Sequence, residues 1–144
     1  MRQPVSWAGQ RDEPAVVELR IPAGPEWVGV ARLAAAGIAS RLDFSIEDIE
    51  DLKLAVAEAC NCCIQNGGSG DVHISCALHA DRIEISVGRA GAPAKQGAQA
   101  SAAGDDEELG GLGVFLIRAL MDDVAYSADA VSGTNLTLIK HLGK

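Results

Sequence analysis

Apolar and polar residues alternate along "AVVELRIPA", residues 15–23, so Val17, Leu19 and Ile21 share one side of a predicted strand. The period then changes. Gly24 and Pro25 precede "EWVGVARLAAAGIASRL", a run of small and aliphatic residues that predicts a helix with the proline in its first turn. Ser45 followed by Asp48 is a capping signal for a second helix reaching about Gln65, where "NGGSGD" stops it. Residues 72–87, "VHISCALHADRIEISV", read as a β-hairpin turning at Ala80 and Asp81. Later, "GLGVFLIRALMDD" predicts glycines leading into an apolar helix, and "VAYSADAVSGTNLTLIKHL" predicts two strands about a turn.

Two segments lack such a pattern. Residues 1–14 are polar and carry two prolines, which suits a disordered tail. "GRAGAPAKQGAQASAAGDDEELGG" has no apolar period, and an unstructured segment of that length within a small domain is a functional lid or disorder. The resulting order is β, α, α, β, β, lid, α, β, β. It predicts an α/β two-layer sandwich, with an antiparallel or mixed sheet and the helices gathered on one face. At 144 residues the chain is sized for one such domain, here 15–144.

Composition narrows the function classes. Apolar residues make up 48% of the chain but aromatics only 3%, so the core must be built of Ala, Val, Leu and Ile, and a small all-β sandwich is disfavoured. The formal net charge of -8 repels phosphate backbones and anionic lipid surfaces, so no direct nucleic-acid or membrane partner is expected. The N-terminus lacks the apolar run of a signal peptide and no later stretch spans a bilayer, which predicts a cytoplasmic protein. There Cys60, Cys62, Cys63 and Cys76 would be reduced thiols. A zinc site with His73 or His79 is the sharper alternative. Against it, Cys60, Cys62 and Cys63 share no helical face and there is no paired C-x-x-C, so packed thiols are the expectation.

On the second helix Leu52, Val56, Ala59 and Cys63 fall at i, i+4, i+7 and i+11, a stripe suited to pack on the sheet. Glu58 lies on the flank of that stripe, Cys62 is one turn further along, and Asn61 is nearby. Glu58 is either a solvated helix carboxylate or an acid facing a ligand cleft. Gly111 and Gly113, in "GGLG", precede a helix whose first amides are unpaired donors, and glycines there let a phosphate approach the backbone. "SGT", residues 132–134, is a turn whose threonine opens the last strand.

Three stretches together carry a family likeness: "IEDLKLAVAEAC", "GGLGVFLIRALMDDV" and "SGTNLTLIKHL". Over nearly its whole length from Ala15 the chain resembles the bacterial anti-sigma-factor serine kinases of the RsbW and SpoIIAB type, within the GHKL ATPase superfamily. That resemblance implies a Bergerat fold binding ATP or ADP with magnesium under a lid at about 89–109. By matching position Glu58 would be the general base toward a partner's serine. Gly111 and Gly113 would cradle phosphates, Gly91 and Thr134 would lie at the adenine, and Arg32 would belong to the partner-binding surface. It further implies a homodimer that holds a sigma factor and phosphorylates an anti-anti-sigma factor.

The motifs depart from the family at two points. Cys62 stands where the resemblance implies an asparagine on magnesium, with Asn61 one residue early and turned by about 100°. A neutral thiol is a poor ligand for magnesium. The adenine motif falls on "RAGAP", so Arg89 replaces an aspartate and Pro93 a glycine, and a guanidinium cannot accept a hydrogen bond from an amino group. The expectation is an anti-sigma regulatory protein with a partly degenerate ATP site. The alternative is an active serine-protein kinase, and a more remote one a thiol- or metal-based sensor.

Overall fold

A computed structural model of the chain describes residues 14–91 and 111–143. The expected tail, apart from Pro14, and residues 92–110 of the expected lid lie outside the described residues. Five strands form one sheet: β1 (Ala15–Ile21), β2 (Val72–Leu78), β3 (Arg82–Arg89), β4 (Asp123–Asp129) and β5 (Gly133–His141), in the order β1-β2-β3-β5-β4. Every neighbouring pair is antiparallel. Three helices accompany them, α1 (Val28–Ala39), α2 (Ile46–Asn66) and α3 (Gly111–Leu120). The two-layer α/β architecture expected from the pattern is the one observed.

The pleat explains the two layers. Val72, Ile74, Cys76 and Leu78 on β2, Ile83, Ile85 and Val87 on β3, and Leu136 and Leu138 on β5 are all buried. The register sets Ile74 between Leu19 and Val87, and Ile85 between Cys76 and Leu138, so these residues share one face. The alternate positions, among them His73, Ser86 and Asn135, are exposed. α2 crosses the buried face and meets β2, β3 and β5, while α1 covers the β1–β2 side and α3 reaches β4.

α2 begins where predicted. Ser45 is extended and its hydroxyl accepts from the Asp48 amide at 3.0 Å, satisfying a donor that the helix leaves free. The helix ends at Asn66, with Gly67 at φ 83°. α1 is shorter than its sequence pattern. Pro25–Trp27 form a 3-10 turn before it, and beyond Ala39 the chain tightens. There the Arg41 and Leu42 amides bond to Ile38 and Ala39 carbonyls, and Ser40 Oγ donates to the Gly37 carbonyl at 2.7 Å.

Arg89 closes β3, paired with Val72 and Thr134, so the strand takes in the first residue of the expected lid. Two glycines fix the geometry there. Gly133 has φ 80°, and a Cβ on it would overlap the Arg89 carbonyl oxygen. Gly91, at φ 88°, leaves only 2.8 Å between the place of a Cβ and both the amide nitrogen and Oγ of Ser69, so a side chain there would have no room. Among the described residues no helix is long and apolar enough to cross a membrane.

Candidate functional site

The core stripe of α2 is as predicted, with Leu52, Val56, Ala59 and Cys63 sealed. Its flank carries the polar groups. Glu58, Cys62 and Asn66 succeed one another at four-residue spacing, so each lies one turn beyond the last on a line that drifts slowly around the helix. Glu58 is half-buried, and its Oε1 lies 3.5 Å from where a Cβ would stand on Gly113. The first turn of α3, with Gly111 and Gly113, therefore sits directly against the carboxylate. A side chain at position 113 would occupy that space.

One turn further on, Cys62 is buried beside the Tyr126 hydroxyl of β4. Asn66 Nδ2 donates both to Tyr126 Oη at 3.1 Å and to Thr134 Oγ1 at 3.2 Å. Thr134 is 1% exposed, and its carbonyl lies 4.0 Å from the Cys63 thiol, which donates to it. Tyr126 and Asn66 were not among the sequence-derived candidates. Asn66 was traceable, eight residues beyond Glu58 on the same flank; Tyr126, 60 positions further along the chain, was not.

Arg89 does not reach out freely. Its Nε donates to the Gly70 carbonyl at 3.0 Å, which ties the guanidinium to the loop after α2. Asn61 is half-buried and has no hydrogen-bond partner among the described residues. Arg32 is exposed on α1, against the β1–β2 side, and so stands apart from the cluster. An open depression of about 760 Å³ lies on the solvent side of the sheet, lined by Arg20, His73, Ser75, Ser86 and Asn135. It faces away from Glu58 and Gly113 and is the ordinary concavity of a twisted sheet.

Burial sets the chemistry of the thiols. It pushes Cys60 up to about 12, with Cys76 beside it adding to the effect, and Cys76 up to about 11. Cys63 is raised by burial and by the neighbouring Cys62 and Cys60. Cys62 is also pushed up by burial, to about 11, although the Tyr126 hydrogen bond pulls it back and Glu58 adds a smaller upward push. All four are thus protonated at neutral pH, the form that neither attacks nor ligates a metal. Among the described residues no group of three or more His, Cys, Asp or Glu side chains is placed to hold a metal ion. Tyr126 is raised as well, first by burial.

A carboxylate is thus held against a glycine-started helix, with a polar cluster one to two helical turns further along α2. A family model described as a histidine kinase-like ATPase domain matches residues 21–140. The chain belongs to this family. The match takes in α1, α2 and α3, and every strand apart from most of β1 and the last residue of β5. Relatives named serine-protein kinase RsbW agree. That of Bacillus pumilus (strain SAFR-032) is 38% identical over 143 residues, covering 90% of this chain and 87% of the relative. That of Oceanobacillus iheyensis is 42% identical over 120 residues, covering 75% and 76%. That of Listeria monocytogenes serotype 4a is 36% identical over 140 residues, covering 89% and 88%. The RsbW-type likeness carried by the three motifs is therefore shown, and this histidine kinase-like ATPase chain has the antiparallel sheet and one-sided helices expected of it.

Proposed function

We propose that the chain is an anti-sigma regulatory protein of the serine-protein-kinase type. It holds a sigma factor and an anti-anti-sigma factor by a surface that includes Arg32, acts in the cytoplasm as a homodimer, and takes up ATP or ADP along the flank of α2. Gly111 and Gly113 present amides to the phosphates at the start of α3. Gly91, Asn66 and Thr134 mark the base end of the site, and Asn61 lies beside its middle. The net charge of -8 favours protein partners with basic faces over nucleic acid.

The observation that carries this reading is Cys62. It stands at the magnesium position implied by the resemblance, yet it is buried, protonated and engaged with Tyr126. Magnesium requires oxygen donors, and in the cluster only Glu58 offers a carboxylate. The residues present do not fit the ion well, so nucleotide binding with weakened phosphotransfer is the function they support. A second reading, a working serine-protein kinase, is favoured by one contact. Glu58 Oε1 lies 3.5 Å from where a Cβ would stand on Gly113, a position from which its carboxylate would take the proton of a partner's serine hydroxyl. Bound ATP would supply the phosphoryl group.

Incubation of the purified protein with ATP, magnesium and a candidate antagonist separates the two. The proposal expects capture of the sigma factor with slow or absent phosphoserine formation. Rapid formation that disappears in Glu58→Ala would replace the proposal with the kinase reading.

A further inference from the structure

The nucleotide reading asks the first turn of α3 to hold its amides steady, yet little fixes that turn in place. Of the ten residues of α3 only Val114 and Ile117 are buried, and among the described residues no backbone hydrogen bond ties its first turn to another element. Its far end is held differently. Lys140, on β5, is 8% exposed, and its Nζ donates to the carbonyl of Leu120, the last residue of α3, at 2.8 Å. The same amine lies 3.8 Å from Asp48 Oδ1, in the first turn of α2. Beside it the Asp122 amide donates to the Ile139 carbonyl at 2.9 Å, and Asp122 Oδ2 accepts from the His141 amide at 2.7 Å.

A buried amine at this position needs a reason. Lys140 shares the buried face of β5 with Leu136 and Leu138, in a row where the pleat calls for an apolar residue. Its positive charge meets the carbonyl end of α3, and Asp48 supplies a carboxylate on its other side. The contacts also show that α3 runs antiparallel to α2, since Leu120 comes to Asp48 through Lys140 while Gly113 comes to Glu58. Gly113 is seven residues from Leu120, about 10 Å along the helix axis. A slip of α3 at its Lys140 end therefore moves the glycine amides by the same amount past Glu58.

Resting on the nucleotide reading above, we propose that Lys140 is a positioning residue: it clips the end of α3 to the start of α2 and so sets where the Gly111 and Gly113 amides stand against Glu58. It touches no nucleotide itself. The helix carries the placement from one end to the other, and groups that bind a ligand must be held to within about 0.5 Å of their working positions.

The test is calorimetric titration of the full chain with ADP, paired with hydrogen exchange read along α3. Lys140→Met keeps a buried stem and removes the donor. It should weaken ADP roughly fivefold to tenfold. Exchange should quicken at the start of α3, while β2 and β3 stay as protected as in wild type. Lys140→Arg keeps a donor for the Leu120 carbonyl and should restore ADP affinity to within about twofold. Asp48→Ala loosens only the α2 side of the clip and should lose about threefold. Where Lys140→Met does not fold, Asp48→Ala decides, and wild-type affinity there overturns the inference. A folded Lys140→Met that binds ADP as wild type does also overturns it and leaves the nucleotide reading standing. So does exchange that quickens equally across the sheet, because Lys140 would then hold the whole fold and not α3. Failure of wild type to bind ADP ends the nucleotide reading and this inference with it.

Discussion

The two sides of α2 are built by different physics. The core side, Leu52, Val56, Ala59 and Cys63, is set by burial, with one long thiol bond from Cys63 to the Thr134 carbonyl, and at the first three positions an apolar residue of similar size would serve. The flank, Glu58, Cys62 and Asn66, is set by individual hydrogen bonds and contacts to α3, β4 and β5. Three cysteines within four positions straddle this divide. Cys60 and Cys63 fill space, while Cys62 joins a polar network. The same residue type is interchangeable filler on one side of a helix and a specific partner on the other.

High pH probes that divide most strongly. The folded thiols hold their protons to about 11 or 12, whereas unfolded ones release them near 9.0. The stability they contribute is fully present below pH 9 and is lost as pH rises toward the folded values. Between those limits each thiol should remove about 1.4 kcal/mol per pH unit. Denaturant unfolding at a series of pH values should show this decline, and Cys60→Ala should flatten it more than Cys62→Ala. Equal flattening would mean that the Tyr126 hydrogen bond does not distinguish the two sides.

Leu52→Ala should cost about 2–5 kcal/mol by opening a cavity on the core side. A loss under 1 kcal/mol would show that α2 is not anchored by its stripe. Removing the cap by Ser45→Ala should cost about 1 kcal/mol and leave the flank unaltered, read as a shift of the unfolding midpoint with unchanged m-value. Arg32→Glu, away from both sides of α2, should change stability by no more than about 0.5 kcal/mol while weakening sigma-factor capture. Unchanged capture would remove Arg32 from the partner surface.

These expectations mirror what could be read from the chain. The core stripe, the Ser45 cap, the 72–87 hairpin and the order of elements were legible, because each depends on residues a few positions apart. The flank was legible only in part. Glu58 and the α3 glycines could be named, but their contact brings together residues 55 positions apart. Tyr126 gave no signal in a strand of alternating small residues, since its meaning comes from Asn66 and Cys62. Arg89 could be recognised as an acceptor lost, but its bond to Gly70 depends on how the loop after α2 folds back. The helix ends slipped for a local reason, the tightening after Ala39 that a run of alanines does not announce.

The central claim is that Cys62, buried beside Tyr126, gives the proposed nucleotide site a poor magnesium end. Calorimetric titration with a non-hydrolysable ATP analogue, with and without magnesium, tests it directly in wild type and Cys62→Asn. The account predicts that magnesium changes the wild-type Kd by no more than about threefold and that Cys62→Asn gains roughly tenfold in affinity only when magnesium is present. Wild-type binding that already tightens tenfold or more with magnesium, with no gain in Cys62→Asn, would contradict it.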